Sequence, residues 1–439
     1  GSGLAAGGVA VRDGRIAAIA APGERFEAAR EIDCGGRLLM PGLIDPHVHF
    51  GFGDPQNDFR TESRSAALGG VTTVLSFYRT KDFLESFEQE RARAESQSVI
   101  DFGYHLGLTS DPHVRSLAEC YRRWGLSSYK MYLMYKGAAG LSKGFTDIDD
   151  GLLFAAMREC AALPGAVLGV HCENVEVIPY LRDPLRAAGR DDLAAWDEQS
   201  PDFLEAENVH RTCYFAAKTG ATVNIVHLSS KEALDEVRRH RVPGRPPIQV
   251  ETCPHFLFID RDDPCGTLGK VNPPLRRRSD IDALWEGVLD GSVTTVGTDH
   301  VSRKRETKSG SIWASTNGFP GVATMLPILM HEGYHARGVP LERLAELASL
   351  ASAKAYHLPT KGRLMPGADA DLVLVDPDLE RVVDWRELST FADYSPFEGR
   401  SLKGWPVLTV SRGRVLMEQG RLTEAAVDGV GRYLPRWPG

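Results

Sequence analysis

With 439 residues, 42% of them hydrophobic and 25% charged, the chain has the composition of a globular protein large enough for one big α/β barrel and a smaller domain. A formal net charge of −8 argues against nucleic acid or an anionic membrane as the main partner, and no apolar run approaches the length of a bilayer span. Seven scattered cysteines, odd in number and without a Cys-x-x-Cys pair, point to reduced thiols in a cytoplasmic protein, and no signal-peptide pattern follows Gly1.

In chain order, residues 8–20 predict a hairpin: Val9-Ala10-Val11, a turn at Asp13-Gly14, then Ile16 to Ile19. A short strand at 37–40 leads into Pro41-Gly42-Leu43-Ile44-Asp45-Pro46-His47-Val48-His49-Phe50. Apolar, β-rich runs then recur at 43–48, 71–77, 99–108, 128–133, 166–171, 221–228, 248–258 and 293–297. Amphipathic helical stretches lie between them, among them 82–95, 152–162, 206–219 and 231–240. Eight strand–helix alternations predict an α/β fold, a (β/α)8 TIM-like barrel over 41–360. After a helical stretch at 341–356 the pattern returns to strands at 372–376, 407–410 and 414–417. Residues 1–40 and 361–424 are therefore expected to form one small β-sandwich domain from both chain ends. The Gly/Pro-rich tail, 425–439, is expected to clasp a neighbouring subunit.

The candidate chemistry sits at strand ends. A period of two puts His47 and His49 on one face of the first barrel strand, half of a metal site. Later strands add Lys130, His171, His227 and Asp299, each at or near the carboxyl end, where barrels of this kind place their active sites. Four imidazoles and one carboxylate suit zinc or a similar first-row divalent ion. Two such cations repel and need a bridging anion. A lysine enclosed near metal charge has a lowered pKa, and its neutral amine can add CO2 to become a carbamate with one oxygen for each metal. Such a pair would share a hydroxide and polarise a carbonyl, with Asp299 passing the proton to the leaving nitrogen.

The motifs carry a resemblance. Pro41 to His49, Gly69-Gly70-Val71-Thr72-Thr73, Lys130 with Tyr135, Val170-His171-Cys172-Glu173-Asn174, Glu251-Thr252-Cys253-Pro254-His255, Tyr394-Ser395-Pro396-Phe397-Glu398-Gly399 and Gly404-Trp405-Pro406-Val407 span nearly the whole chain. The chain resembles the cyclic amidohydrolases of the hydantoinase/dihydropyrimidinase group. The resemblance implies a hydrolase that opens a hydantoin, dihydropyrimidine or cyclic imide ring by attack of a metal-bridging hydroxide. It implies two divalent ions, zinc first and manganese second: one held by His47, His49, carbamylated Lys130 and Asp299, the other by Lys130, His171 and His227. It gives Asp299 and Tyr135 catalytic roles, Tyr135 as a donor to the oxyanion. It assigns substrate contacts to Tyr135 and to the loops Val271-Asn272-Pro273-Pro274-Leu275-Arg276 and Asn317-Gly318-Phe319-Pro320-Gly321, represented by Asn272 and Asn317. Asn272 stands where hydantoinases carry serine. Homo-oligomers, dimers or tetramers, are usual in the group.

Phe50 and Gly51 occupy the positions where dihydroorotases carry an arginine for a carboxylate, which favours a neutral ring. The basic cluster of 303–308 is weighed as a grip on an anionic substituent and, preferentially, as a solvated loop. His255 and His300 are left off the metal list, and Glu173 is read as a support for His171. The alternatives are an allantoinase- or dihydroorotase-like ring hydrolase, or a non-catalytic interaction protein of the collapsin response mediator kind. Retention of every ligand position argues against the last.

Overall fold

The computed structural model describes residues 3–141, 145 and 148–437. The hairpin is β1 (Gly8–Arg12) and β2 (Arg15–Ala20), and Asp13 and Gly14 both turn at positive φ, 52° and 76°. A two-residue hairpin turn asks for left-handed backbone at both central positions, which Asp-Gly adopts readily. β3 (Leu38–Pro41) is separated from β4 (Leu43–Val48) by Gly42 alone. A Cβ at Gly42 would run into the Thr72 side chain, so only glycine lets the chain cross here from one sheet to the other.

β4 opens an eight-stranded parallel sheet, ordered as in the chain. The others are β5 (Val71–Tyr78), β6 (Asp101–Leu108), β7 (Ser128–Tyr132), β8 (Val167–His171), β9 (Thr222–Ile225), β10 (Ile248–Thr252) and β11 (Thr295–Val296). β4, β6, β7 and β8 are buried at every position, as strands covered on both faces must be. A parallel bridge from Val48 to His300, with His49 N donating to His300 O at 2.8 Å, brings the chain after β11 back to β4 and nearly closes the cylinder. Helices wrap the outside. In Lys231–His240, Ser230 caps the Ala233 N–H, while Ala233, Leu234 and Val237 form the buried stripe.

The second sheet is antiparallel and ordered β15-β14-β13-β12-β3, with β12 (Leu372–Val382), β13 (Ser401–Ser411), β14 (Arg414–Glu418) and β15 (Arg421–Leu422). Ile16 of the hairpin packs with Leu372, Leu374, Val407 and Val410, so both chain ends build this β-domain. Among the described residues no helix is long and apolar enough to cross a membrane.

Two expectations need correction. The strand expected over 248–258 stops at Thr252, and Pro254–Leu257 is a turn of 3-10 helix. Pro254 lacks the N–H that would continue the ladder. The helix expected over 341–356 widens in its middle to a π-turn, Glu346–Leu350. The described part of the tail lies against the barrel of its own chain. Phe102 N donates to Arg432 O, Leu434 N to Phe102 O and Arg436 N to Gly125 O, all at 2.8–2.9 Å. The fully buried Arg436 guanidinium donates to Ser128 Oγ and Tyr104 O.

Candidate active site

The carboxyl ends of the strands surround a cavity of about 430 Å³. Its walls include His49, Lys130, Tyr135, His171, His227, Asn272, Asp299 and Asn317. His47 sits directly behind His49, their rings 5.3 Å apart. His49 Nε2 is 2.8 Å and His47 Nε2 3.1 Å from Asp299 Oδ1. Ligand-capable atoms of these three residues lie within 4.8 Å of one another. Across the cavity His171 Nδ1 is 2.8 Å from His227 Nε2, and the rings of His47 and His227 are 5.4 Å apart. Lys130 is 1% exposed, with Nζ 5.0 Å from the centre of the Phe77 ring. His227 and Asp299 both have left-handed backbone, φ 40° and 53°. Such positions cost about 1–3 kcal/mol each and persist where the surrounding structure imposes them, often at functional sites.

Burial sets the protonation states. It pushes Lys130 down to about 8 and His49 to about 4, and it lowers His171 and His227 as well. These imidazoles are neutral, the form that binds metal. At His47 burial pulls the same way, but Glu251 and Asp299 outweigh it and raise the pKa. At Asp299 burial is overcome by His47 and His49, which hold the carboxyl well below the usual range.

Likenesses to known proteins accompany this geometry. Residues 201–416 match the amidohydrolase family. The L-hydantoinase of Paenarthrobacter aurescens is 32% identical over 99% of this chain and 95% of its own length. The allantoinase of Rubrobacter xylanophilus is 35% identical over 94% of this chain and 91% of its own. The solved L-hydantoinase (dihydropyrimidinase) from Arthrobacter aurescens superposes with a TM-score of 0.90 at 32% identity, covering 97% and 95% of the two chains. The chain belongs to the hydantoinase family of cyclic amidohydrolases.

Hydrolases of this family use divalent metal, and the residues present fit one. His47 Nε2 is buried and makes no aligned hydrogen bond although Asp299 Oδ1 is 3.1 Å away, and His171 Nδ1 and His227 Nε2 face each other with both imidazoles neutral. A buried nitrogen left so is costly unless something accepts its lone pair. Contacts to the far nitrogen of a metal-binding imidazole fix its tautomer and orientation. Glu251, wholly buried on β10, lies 2.5 Å from His47 Nδ1, and Glu173 Oε2 lies 3.3 Å from His171 Nε2. Sequence reading gave Glu251 no role. Its signal was membership of the Glu251-to-His255 motif, which gives no hint of a contact with His47.

Of the two loop residues, Asn272 accepts from Trp196 Nε1 at 3.0 Å, while Asn317 Oδ1 has no partner. His300 secures the second loop: its Nδ1 accepts from Gly321 N at 3.0 Å and Val322 N at 3.2 Å. His255 is buried, and burial lowers it to about 3. The basic cluster is solvated only in part, at Arg305 and Glu306. Arg303 lines the cavity, and buried Lys308 donates to Lys270 O and Thr316 O at 2.9 and 2.8 Å. Arg79, singled out by no motif, lines the cavity too.

Proposed function

We propose that this chain hydrolyses the amide bond of a hydantoin, dihydropyrimidine or related cyclic imide or ureide ring. The observation that carries this reading is the convergence of His47, His49 and Asp299 on one point, with Lys130, His171 and His227 facing it across one cavity. His47, His49, Lys130 and Asp299 would hold one divalent ion and Lys130, His171 and His227 a second, zinc in preference to manganese on this donor set. When bound, the ions supply Lewis acidity and a water acidified enough to attack at neutral pH.

The chain's own groups do the rest. Lys130, with a pKa of about 8 because it is buried, has a neutral fraction near pH 7 that can add CO2 and release a proton, leaving a carbamate. Asp299, ionised at neutral pH, takes the proton of the attacking water as the new C–O bond forms. It returns that proton to the ring nitrogen as the C–N bond breaks, giving the open-chain acid. Tyr135, half-buried at the cavity wall with its ring 4.3 Å from that of Phe145, would donate its phenol hydrogen to the oxygen that gains charge. Asn317, with its unpartnered Oδ1, and Asn272, steadied by Trp196, are assigned to the cyclic amide.

An allantoinase-type ureide is the second reading, supported by the 35% identity to an allantoinase. A homo-oligomer is supported by the helix Ile178–Ala187, which buries no residue within the chain and leaves Tyr180 80% exposed. Seven free cysteines support a reducing, cytoplasmic location.

Metal analysis with turnover on hydantoin, dihydrouracil, cyclic imide and allantoin rings tests the proposal. The expected result is about two ions per chain, ring opening lost on chelation, and recovery with zinc or manganese. Fully metallated protein that opens no ring refutes it.

A further inference from the structure

The cavity contains two guanidiniums that the ring-opening chemistry does not use. Arg79 follows directly on β5, and Arg303 lies four residues beyond Asp299. Arg79 Cζ sits 4.3 Å above the ring of Phe52, with the Phe145 ring at 5.3 Å and the Tyr132 ring at 5.6 Å. Aromatic faces hold a guanidinium flat and leave its edge donors free. Arg303 Nη1 reaches Phe52 O at 3.4 Å, a long contact, and Arg303 Nε is buried without a partner. Phe52 therefore supports both cations.

Among the described residues no carboxylate is within ion-pair distance of either arginine. Asp58, an acid in the neighbourhood of Arg303, is already saturated. It accepts from Gly51 N, Gly53 N, Asp54 N and Ser302 Oγ at 2.8–3.0 Å. Asp299 is engaged with the imidazoles. Burial lowers the Arg303 pKa, with Arg79 adding to this and Tyr394, Tyr135 and Asp58 pulling the other way. Two half-buried cations beside one small cavity call for an anion.

We propose that Arg79 and Arg303 recognise a carboxylate carried as a substituent on the substrate ring. This rests on the ring-hydrolase reading above and narrows it. It also reverses the neutral-ring expectation drawn from Phe50 and Gly51, because the cations enter from two other strand ends. A carboxylate fits better than a larger dianion because the cavity must hold the ring as well.

The test is kcat/KM on matched pairs, a hydantoin bearing a carboxymethyl group against its carboxamide isostere, and the corresponding six-membered rings. The metallated wild type is expected to favour the acid by at least about tenfold, chiefly through KM, with the preference shrinking as salt rises. Arg79→Met and Arg303→Met are each expected to collapse that acid-to-amide ratio toward one. Arg303→Lys should keep part of it. The ratio is internal to each variant, so partial misfolding does not mimic the effect. Equal or better turnover of the amide by the wild type, or a ratio that survives both substitutions, overturns the proposal while leaving the ring hydrolase intact. Failure to open any ring removes the parent reading and this one together.

Discussion

At the amino-terminal end of the barrel, a cluster of buried charge is paired within the chain. Lys361 Nζ lies 2.5 Å from Asp101, 2.6 Å from Asp371 and 3.1 Å from Asp369, and Arg412 Nε is 3.0 Å from Asp101. Arg436 fills the same end with its donors on Ser128 and Tyr104. At the carboxyl end, imidazole nitrogens lack partners, Lys130 is buried against aromatic rings, and two arginines face an open cavity. At one end the Lys361 cluster satisfies its charges internally and Arg436 spends its Nη donors on the fold, holding it together. The other leaves them for ions and substrate, and its strained His227 and Asp299 are tolerated because the closed barrel holds them.

That contrast can be broken by substitution. The largest effect is expected at the mouth. Asp299→Asn should lower kcat by about 10²–10⁴-fold by removing the proton carrier, while the unfolding midpoint in denaturant stays near that of the wild type. At the floor the signs reverse. Lys361→Met strands the buried carboxylates of Asp101 and Asp371 and should cost about 3–5 kcal/mol in urea unfolding, with kcat per folded, metallated molecule preserved. A floor substitution that instead removed activity at full folding would sink the division between the two ends.

Smaller changes sharpen it. Glu251→Gln leaves His47 in place but weakens the contact to its Nδ1, and metal affinity should fall about 10–100-fold in a chelator competition. Ser128→Ala takes an acceptor from the buried Arg436 and should cost about 1–3 kcal/mol of stability, with metal content unchanged by elemental analysis.

Much of this was legible in advance. His47 and His49 show themselves because a strand repeats every two residues, and His171 because it closes an apolar run. The β-domain from both chain ends was visible as strand patterns outside the helical alternation. Less visible were contacts that join distant segments. Glu251 meets His47 across 204 residues, and nothing local marks the pair. Arg303 looks like part of a charged loop until its backbone carries it over Phe52. The tail, rich in glycine and proline, gave no hint that Arg436 would be buried beneath β6 and β7.

The linear order of residues determined the barrel, the strand-end positions of the histidines, Lys130 and Asp299, and the family. Those features depend on periodicity and short motifs, which a chain carries locally. Only the tertiary structure decided which charges are neutralised and which stay open, because that depends on atoms brought within a few ångströms from opposite ends of the chain. The ring-opening chemistry follows from the first kind of information. The choice of ring substituent, in the hands of Arg79 and Arg303, follows from the second.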